Sequence, residues 1–252
     1  MEGGTKTAAE ERSGYVTHVT DLHPSDGRGV AEQVAIDASC GCELLEQRVA
    51  RYAPGRSEPR SSGDHQEVLY VAEGRGTFLL DGREHPLEPD TGVFVVAGET
   101  YEIDNPGPDD LLLITVVAPQ LAGHAAGERR AVRYREQPEL PAGKDREFRY
   151  LVDKDVGCRD VTQFVGLIPP GRSPMHSHTY DEVVYVIEGQ GVLHLGGEQT
   201  PIAAGTCIHL PPLVEHCLEN TGANKMRVLG VFYPQGDPAS RAYEATEAHG
   251  AT

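Results

Sequence analysis

The sequence predicts an all-β chain folded as two tandem jelly-roll β-barrels. Three observations predict it: an internal repeat covering most of the chain, short β-branched runs broken by tight turns, and a composition with 29 Gly and 18 Pro but only 6% aromatics. No segment sustains a helical period of the length a bundle needs. With 252 residues the chain is long enough for two domains of ordinary size, each burying its own core.

The repeat comes first. Gly41-Cys42 recurs as Gly157-Cys158, and Pro54-Gly55-Arg56-Ser57 as Pro170-Gly171-Arg172-Ser173, both 116 positions on. The offset then drops to 115 and stays there: Glu67 falls on Glu182, Tyr70 on Tyr185, Glu73-Gly74 on Glu188-Gly189, Asn105 on Asn220 and Pro119-Gln120 on Pro234-Gln235. A single one-residue length change therefore lies between Ser57 and Glu67. The expected organisation is a flexible N-terminus over 1–14, a first unit over 15–120, a linker over 121–130, a second unit over 131–235 and a flexible tail over 236–252.

Within each unit, VLYVAEGRGTFLL and VVYVIEGQGVLHL are apolar, β-branched runs split by a Gly-x-Gly turn, which is a hairpin pattern. Asp81-Gly82 and Gly196-Gly197 mark the next tight turns. Strands this short, punctuated this often, suit a sandwich or a closed jelly roll.

Charge narrows the partner classes. The formal charge of −17 is spread along the chain, and such a surface repels phosphate backbones and anionic lipid, so neither nucleic acid nor a membrane is expected as a partner. The opening residues MEGGTKTAAEERSG contain no apolar run, and the five cysteines are an odd number, so the expectation is a cytoplasmic chain with reduced thiols. Cys40-Gly-Cys42 has the look of half a metal clip, but no second Cys or Cys/His pair with ligand spacing completes it; buried structural thiols are the expectation.

The two copies differ most where chemistry would sit. His176, His178 and Glu182 share parity in HSHTYDE, so in an extended segment all three can face one interior. GTCIHLPPLVEHCLEN then supplies His216 from another strand, with Asn220 four residues on. Imidazoles with a carboxylate suit Fe(II), Mn(II), Ni(II), Co(II) or Zn(II) rather than Ca²⁺ or Cu(I).

GRSPMHSHTYDEVVYVIEG resembles the first motif of the cupin superfamily, and the stretch from Gly205 to Asn220 resembles the second. The resemblance covers both repeats, so it implies a bicupin, two cupin-type jelly rolls in tandem. It implies that His176, His178, Glu182 and His216 hold one divalent transition metal ion per chain, Fe(II) or Mn(II) being expected and Ni, Co or Zn the alternatives. The first copy keeps Gly55, Glu67, Gly74 and Asn105 but has Ser61 and Gly63 around the two histidine positions and Tyr101 at that of His216, so no metal is expected there. Pairing of cupin barrels is common, so the resemblance also implies a homodimer.

Residues present in both copies are explained by folding, which demotes Arg56, Arg172, Tyr70 and Tyr185. Residues special to the second copy are better site candidates. His209 replaces Phe94 and His194 replaces Leu79, each inside an apolar strand, as candidate acid/base groups or donors beside the ion, with a merely structural place as the alternative. Met175 is expected near the cavity mouth, Tyr180 as a loop anchor, and Cys207 and Cys217 as packing. The family implies a metal-dependent enzyme acting on a small, partly apolar molecule, with a non-haem dioxygenase reaction at the C-terminal barrel ahead of isomerase, decarboxylase or aminohydrolase chemistry. Ureidoglycine aminohydrolases rank lower, because their motif places the carboxylate before the histidines. A non-catalytic ligand-binding metalloprotein is the remaining class.

Overall fold

The computed structural model describes residues 14–240 except 22–24, 28, 122–126, 128 and 144–145. Most of the expected N-terminal and C-terminal ends, and most of the expected linker, lie outside the described residues. The described part is a strand protein joined by turns and short 3-10 segments.

The first repeat contains β2 (Ser25–Gly27), β3 (Val30–Ile36), β4 (Glu46–Tyr52), β5 (Gly55–Arg56), β6 (Arg60–Ser61), β7 (His65–Glu73), β8 (Gly76–Leu80), β9 (Arg83–Leu87), β10 (Thr91–Val95), β11 (Thr100–Asn105) and β12 (Leu111–Pro119). The second contains β14 (Leu140–Pro141), β15 (Glu147–Val152), β16 (Thr162–Ile168), β17 (Gly171–Arg172), β18 (Asp181–Glu188), β19 (Gln190–Leu195), β20 (Glu198–Ala203), β21 (Thr206–Leu210), β22 (His216–Asn220) and β23 (Met226–Tyr233). Two short strands, β1 (Tyr15–His18) and β13 (Ala131–Arg133), open the repeats. Each barrel is a seven-stranded sheet facing a smaller one. The order is β13-β10-β7-β12-β4-β3-β2 against β5-β11-β8-β9 in the first, and β1-β21-β18-β23-β16-β15-β14 against β17-β22-β19-β20 in the second.

β1 and β13 exchange places. β1 lies in the segment matched to the first repeat, yet it pairs antiparallel with β21 of the second, Tyr15 opposite His209. β13 lies in the segment matched to the second repeat and pairs with β10 of the first, Thr91 opposite Arg133. Sheet membership therefore crosses the boundaries that repeat matching draws.

The long apolar runs of the sequence follow from burial on both faces. Along β7, Val68 and Tyr70 enter a core shared by the two barrels, while Leu69 and Val71 enter the first barrel's own core. Along β18, Val183 and Tyr185 enter the shared core, while Val184 and Val186 enter the second barrel. Strand side chains alternate faces, so a strand with a core on each side reads as uninterrupted hydrophobicity. The two large sheets are packed together, and the small sheets close the outer sides.

Turn residues common to both copies do the same work twice. Asp37 and Asp153 each accept a backbone N–H two residues on, and the following Gly41 and Gly157 both adopt φ near +91°. Asn105 donates to the carbonyls of Tyr52 and Asp109, as Asn220 does to those of Ile168 and Asn224. Residues 236–240, placed by expectation at the start of a flexible tail, are packed on the second barrel: Thr162 Oγ1 donates to the Gly236 carbonyl at 3.0 Å.

Removing residues 1–18 strips β21 of the pairing over Thr206–His209. Each lost ladder bond is worth about 1 kcal/mol, and each kcal/mol moves Tm by about 2–4 °C in a chain of this size. The truncated chain is expected to melt at least about 5 °C lower, with faster amide exchange in β21 and none in β10; unchanged Tm and exchange would show that β1 contributes nothing.

Candidate metal centre

His178, Glu182 and His216 converge inside the second barrel, all buried, with their donor atoms within 4.8 Å of one another. His176 joins them at the rim, half-buried, its ring centroid 4.6 Å from that of His216. The backbone sets this up. His176 and His216 exchange a pair of N–H to C=O hydrogen bonds at 3.0 and 2.8 Å, and the His178 carbonyl accepts from Leu213 N at 2.8 Å. The loop carrying the first two histidines is thereby stitched to the strand carrying the last.

All three imidazoles place Nδ1 beside a backbone carbonyl two residues away: Pro174 at 3.3 Å, Tyr180 at 2.8 Å and Val214 at 2.9 Å. With Nδ1–H donating there, Nε2 carries the lone pair that a metal takes. His178 Nε2 lies 2.9 Å from Glu182 Oε2, yet it is buried without a properly directed hydrogen bond. A close but misdirected nitrogen beside a carboxylate is what a donor set built around a shared central ion looks like. Burial first, then the His178 charge, lowers the His216 pKa below the ordinary histidine value, with Glu182 opposing; the ring is neutral and able to ligate at neutral pH. The residues present fit a divalent ion.

Aromatic side chains fix the ligands. Tyr180 stacks on His178 with centroids 4.2 Å apart and an interplanar angle of 10°, and packs in turn on Phe232 at 4.2 Å. Gly230 makes room behind them: a Cβ there would lie 2.2 Å from the Phe164 ring and 2.9 Å from Glu182 Oε1. The donors open onto a cavity of about 80 Å³ walled mainly by Phe148, Phe164, Phe232, Ile168 and Val228, with Arg146 also lining it. Arg146 lies close enough to depress the His216 pKa further.

Two expected candidates lie elsewhere. His209 does not line the cavity: it shares parity with Cys207 on β21, faces the layer between the barrels, and donates Nε2–H to Asp181 Oδ1 at 2.8 Å. His194 does not line it either. It faces away from its neighbour Leu195, which packs in the barrel core, and it is bound to Glu219 Oε2 at 2.8 Å. Neither contacts the donor set. Met175 is also absent from the lining, while Tyr180, expected as an anchor, stacks on a ligand. Arg146 and Gly230 lie outside the two sequence motifs. Their only signal is contrast with the first copy, which has Val30 and Thr115 there.

The first barrel fills the same space with its own cation. The Tyr101–Arg60 pairing corresponds to that of His216 with His176, and the Gly98 N to Gly63 O bond corresponds to that of Leu213 with His178. Arg60, not Ser61, therefore stands where His176 stands, and the extra residue lies between Arg60 and Gly63. The Arg60 guanidinium bonds Glu32 and sits 5.9 Å from the Tyr52 ring centroid, while Tyr101 donates to Glu67 Oε2 at 2.8 Å. Burial works against the Arg60 charge, but Tyr52, Tyr101 and Glu32 hold its pKa above the ordinary arginine value.

The cupin domain signature matches residues 48–117 and 164–232, more than half of the chain and once in each barrel. The chain belongs to the cupin family. Among curated relatives, this bicupin is 33% identical over 70 residues to the uncharacterized protein MJ1618 of Methanocaldococcus jannaschii, a match covering 27% of this chain and 56% of that one. It is 32% identical over 89 residues to the oxalate-binding protein of Thermotoga maritima, covering 34% and 74%. Among solved structures, a mutant of Bacillus subtilis oxalate decarboxylase superposes with a TM-score of 0.72 at 15% identity, covering 94% of this chain and 80% of that one, which shows a shared fold. No helix among the described residues is long and apolar enough to cross a membrane.

Gly230→Ala tests the backing of the ligands. The added methyl must displace Phe164 or Glu182, so metal affinity is expected to fall about 10- to 100-fold, the range for lost outer-shell support. Competition against a chelator measures it; an unchanged affinity would show that the wall yields without moving Glu182.

Proposed function

We propose that the second barrel is a metal-dependent enzyme centre for a small carboxylate, with decarboxylation as the favoured reaction class. The observation that carries this reading is the pairing, in one small cavity, of a three-imidazole, one-carboxylate donor set with the Arg146 guanidinium among otherwise mostly apolar walls. Three neutral ligands and one anion leave a bound divalent ion with a net charge of about +1. Such an ion supplies Lewis-acid polarisation of a substrate oxygen.

The chain's own residues do the rest. Arg146 adds to the cavity wall a guanidinium, the cation type suited to a carboxylate, which the acidic protein surface would otherwise repel. Phe148, Phe164 and Phe232 exclude water and strengthen both electrostatic contacts. At about 80 Å³ the cavity suits a substrate of few heavy atoms rather than a flat polycyclic one. The names of the oxalate-binding relative and of the oxalate decarboxylase structure point to the same class of ligand. Use of O₂ in a dioxygenase reaction is the second reading. It is favoured by the donor set, because His176 sits at the rim and leaves the cavity side of the ligands open.

A screen of small mono- and dicarboxylates, with protein loaded with Mn(II) or Fe(II), separates the two. CO₂ release without stoichiometric O₂ uptake is the expected result, and O₂ uptake matching turnover would move the reaction to the oxygenase class. Arg146→Ala is expected to raise KM for a carboxylate at least tenfold while leaving metal content unchanged. If neither metal nor carboxylate binds the wild-type chain, the enzyme reading is wrong.

A further inference from the structure

A second group of donors lies outside the cavity, in the layer between the barrels. Cys42, Asp181 and His209 bring their ligand atoms within 4.8 Å of one another. They are 1%, 9% and 1% exposed. Cys42 comes from the turn between β3 and β4 of the first barrel, Asp181 and His209 from β18 and β21 of the second.

Two further observations separate this group from ordinary polar packing. His209 uses Nε2 on Asp181 at 2.8 Å, but its Nδ1 is buried with no hydrogen-bond partner among the described residues. A buried ring nitrogen left over in this way calls for a partner, an ordered water or an ion. Cys42, one half of the Cys40-Gly-Cys42 clip that is incomplete in sequence, meets here a histidine and a carboxylate from the other repeat. Gly41, at φ 91°, makes the turn that carries Cys42 into the layer. Burial, and then the Asp181 charge, push the Cys42 thiol up to about 12. The group therefore holds a neutral thiol against a buried carboxylate unless a cation joins it.

We infer that Cys42, Asp181 and His209 form a second metal site, for Zn²⁺ or a chemically similar thiophilic divalent ion, that joins the first barrel to the second. Thiolate, imidazole and carboxylate are the zinc ligand types. A fourth position falls to water, since the Cys40 thiol donates instead to the Asp37 carbonyl at 3.1 Å. Binding releases the Cys42 proton to solvent, and the thiolate and Asp181 carboxylate neutralise the ion; no electron moves. Because the site is buried, the ion enters as the barrels assemble. The site is separate from the cavity: Glu182 faces the barrel interior, whereas Asp181, its neighbour on β18, faces the layer.

Cobalt distinguishes the two centres, because only this one contains sulfur. Full-length chain produced with Co²⁺ in place of Zn²⁺ is expected to carry two ions and to show a thiolate-to-cobalt charge-transfer band in the near ultraviolet. Cys42→Ser should abolish the band and remove one ion, and His209→Gln should do the same. His216→Ala should weaken the cavity ion and leave the band intact. A wild-type chain without the band, or a band that survives Cys42→Ser, overturns the assignment. The wild-type spectrum decides by itself, so a variant that fails to fold does not blur the result, and loss of the cavity ion alone would count against the proposed function only.

Discussion

The constraint on which the structure rests is that its two large sheets are buried on both sides. Each strand there must serve two cores with a period of two. Val183 and Tyr185 belong to the layer between the barrels, Val184 and Val186 to the barrel interior. A slip of one residue would exchange both sets, so register is held from two directions at once. The same alternation sorts the polar residues. Glu182 follows the interior set and meets the histidines, while Asp181 follows the other and meets His209.

Both barrels bury a carboxylate at equivalent positions, and a buried carboxylate without a counter-charge is costly. The copies meet that constraint differently. In the first, burial raises the Glu67 pKa, and Tyr101, Arg48 and Arg60 pull it back down. The cation is covalently part of the chain, and Tyr101 and Gly63 stand at the positions of His216 and His178. In the second, three imidazoles and aromatic walls replace the guanidinium network. The fold presents this position inward in both barrels, whether or not chemistry follows.

Much of this was legible in the sequence because it was written twice. The repeat exposed the tandem barrels, and the contrast between copies exposed His176, His178, Glu182 and His216. Arg60 was hidden because the extra residue falls between it and Gly63, so alignment by identity set Ser61 against His176. His209 and His194 were ambiguous for a different reason. Parity says which residues share a face but not what covers that face, and a layer between two barrels is created by the second domain, not by the strand. Arg146 and Gly230 lie outside the motifs. A guanidinium reaching in from another strand and a missing Cβ behind a ligand are properties of packing, visible only when distant segments are brought together. The neighbours of Cys42, Asp181 and His209, come from the other repeat, so spacing along the chain does not reveal them.

The exchange of β1 and β13 has a consequence for how far the two halves can be separated. The large sheet of each barrel takes its edge strand from the segment that opens the other repeat. Neither repeat cut out alone would carry a complete sheet, whereas two copies trading their opening strands in a two-fold, self-complementary association could close both edges. The chain is interlocked in that sense: the half with the guanidinium lends the half with the imidazoles one of its strands, and borrows one in return.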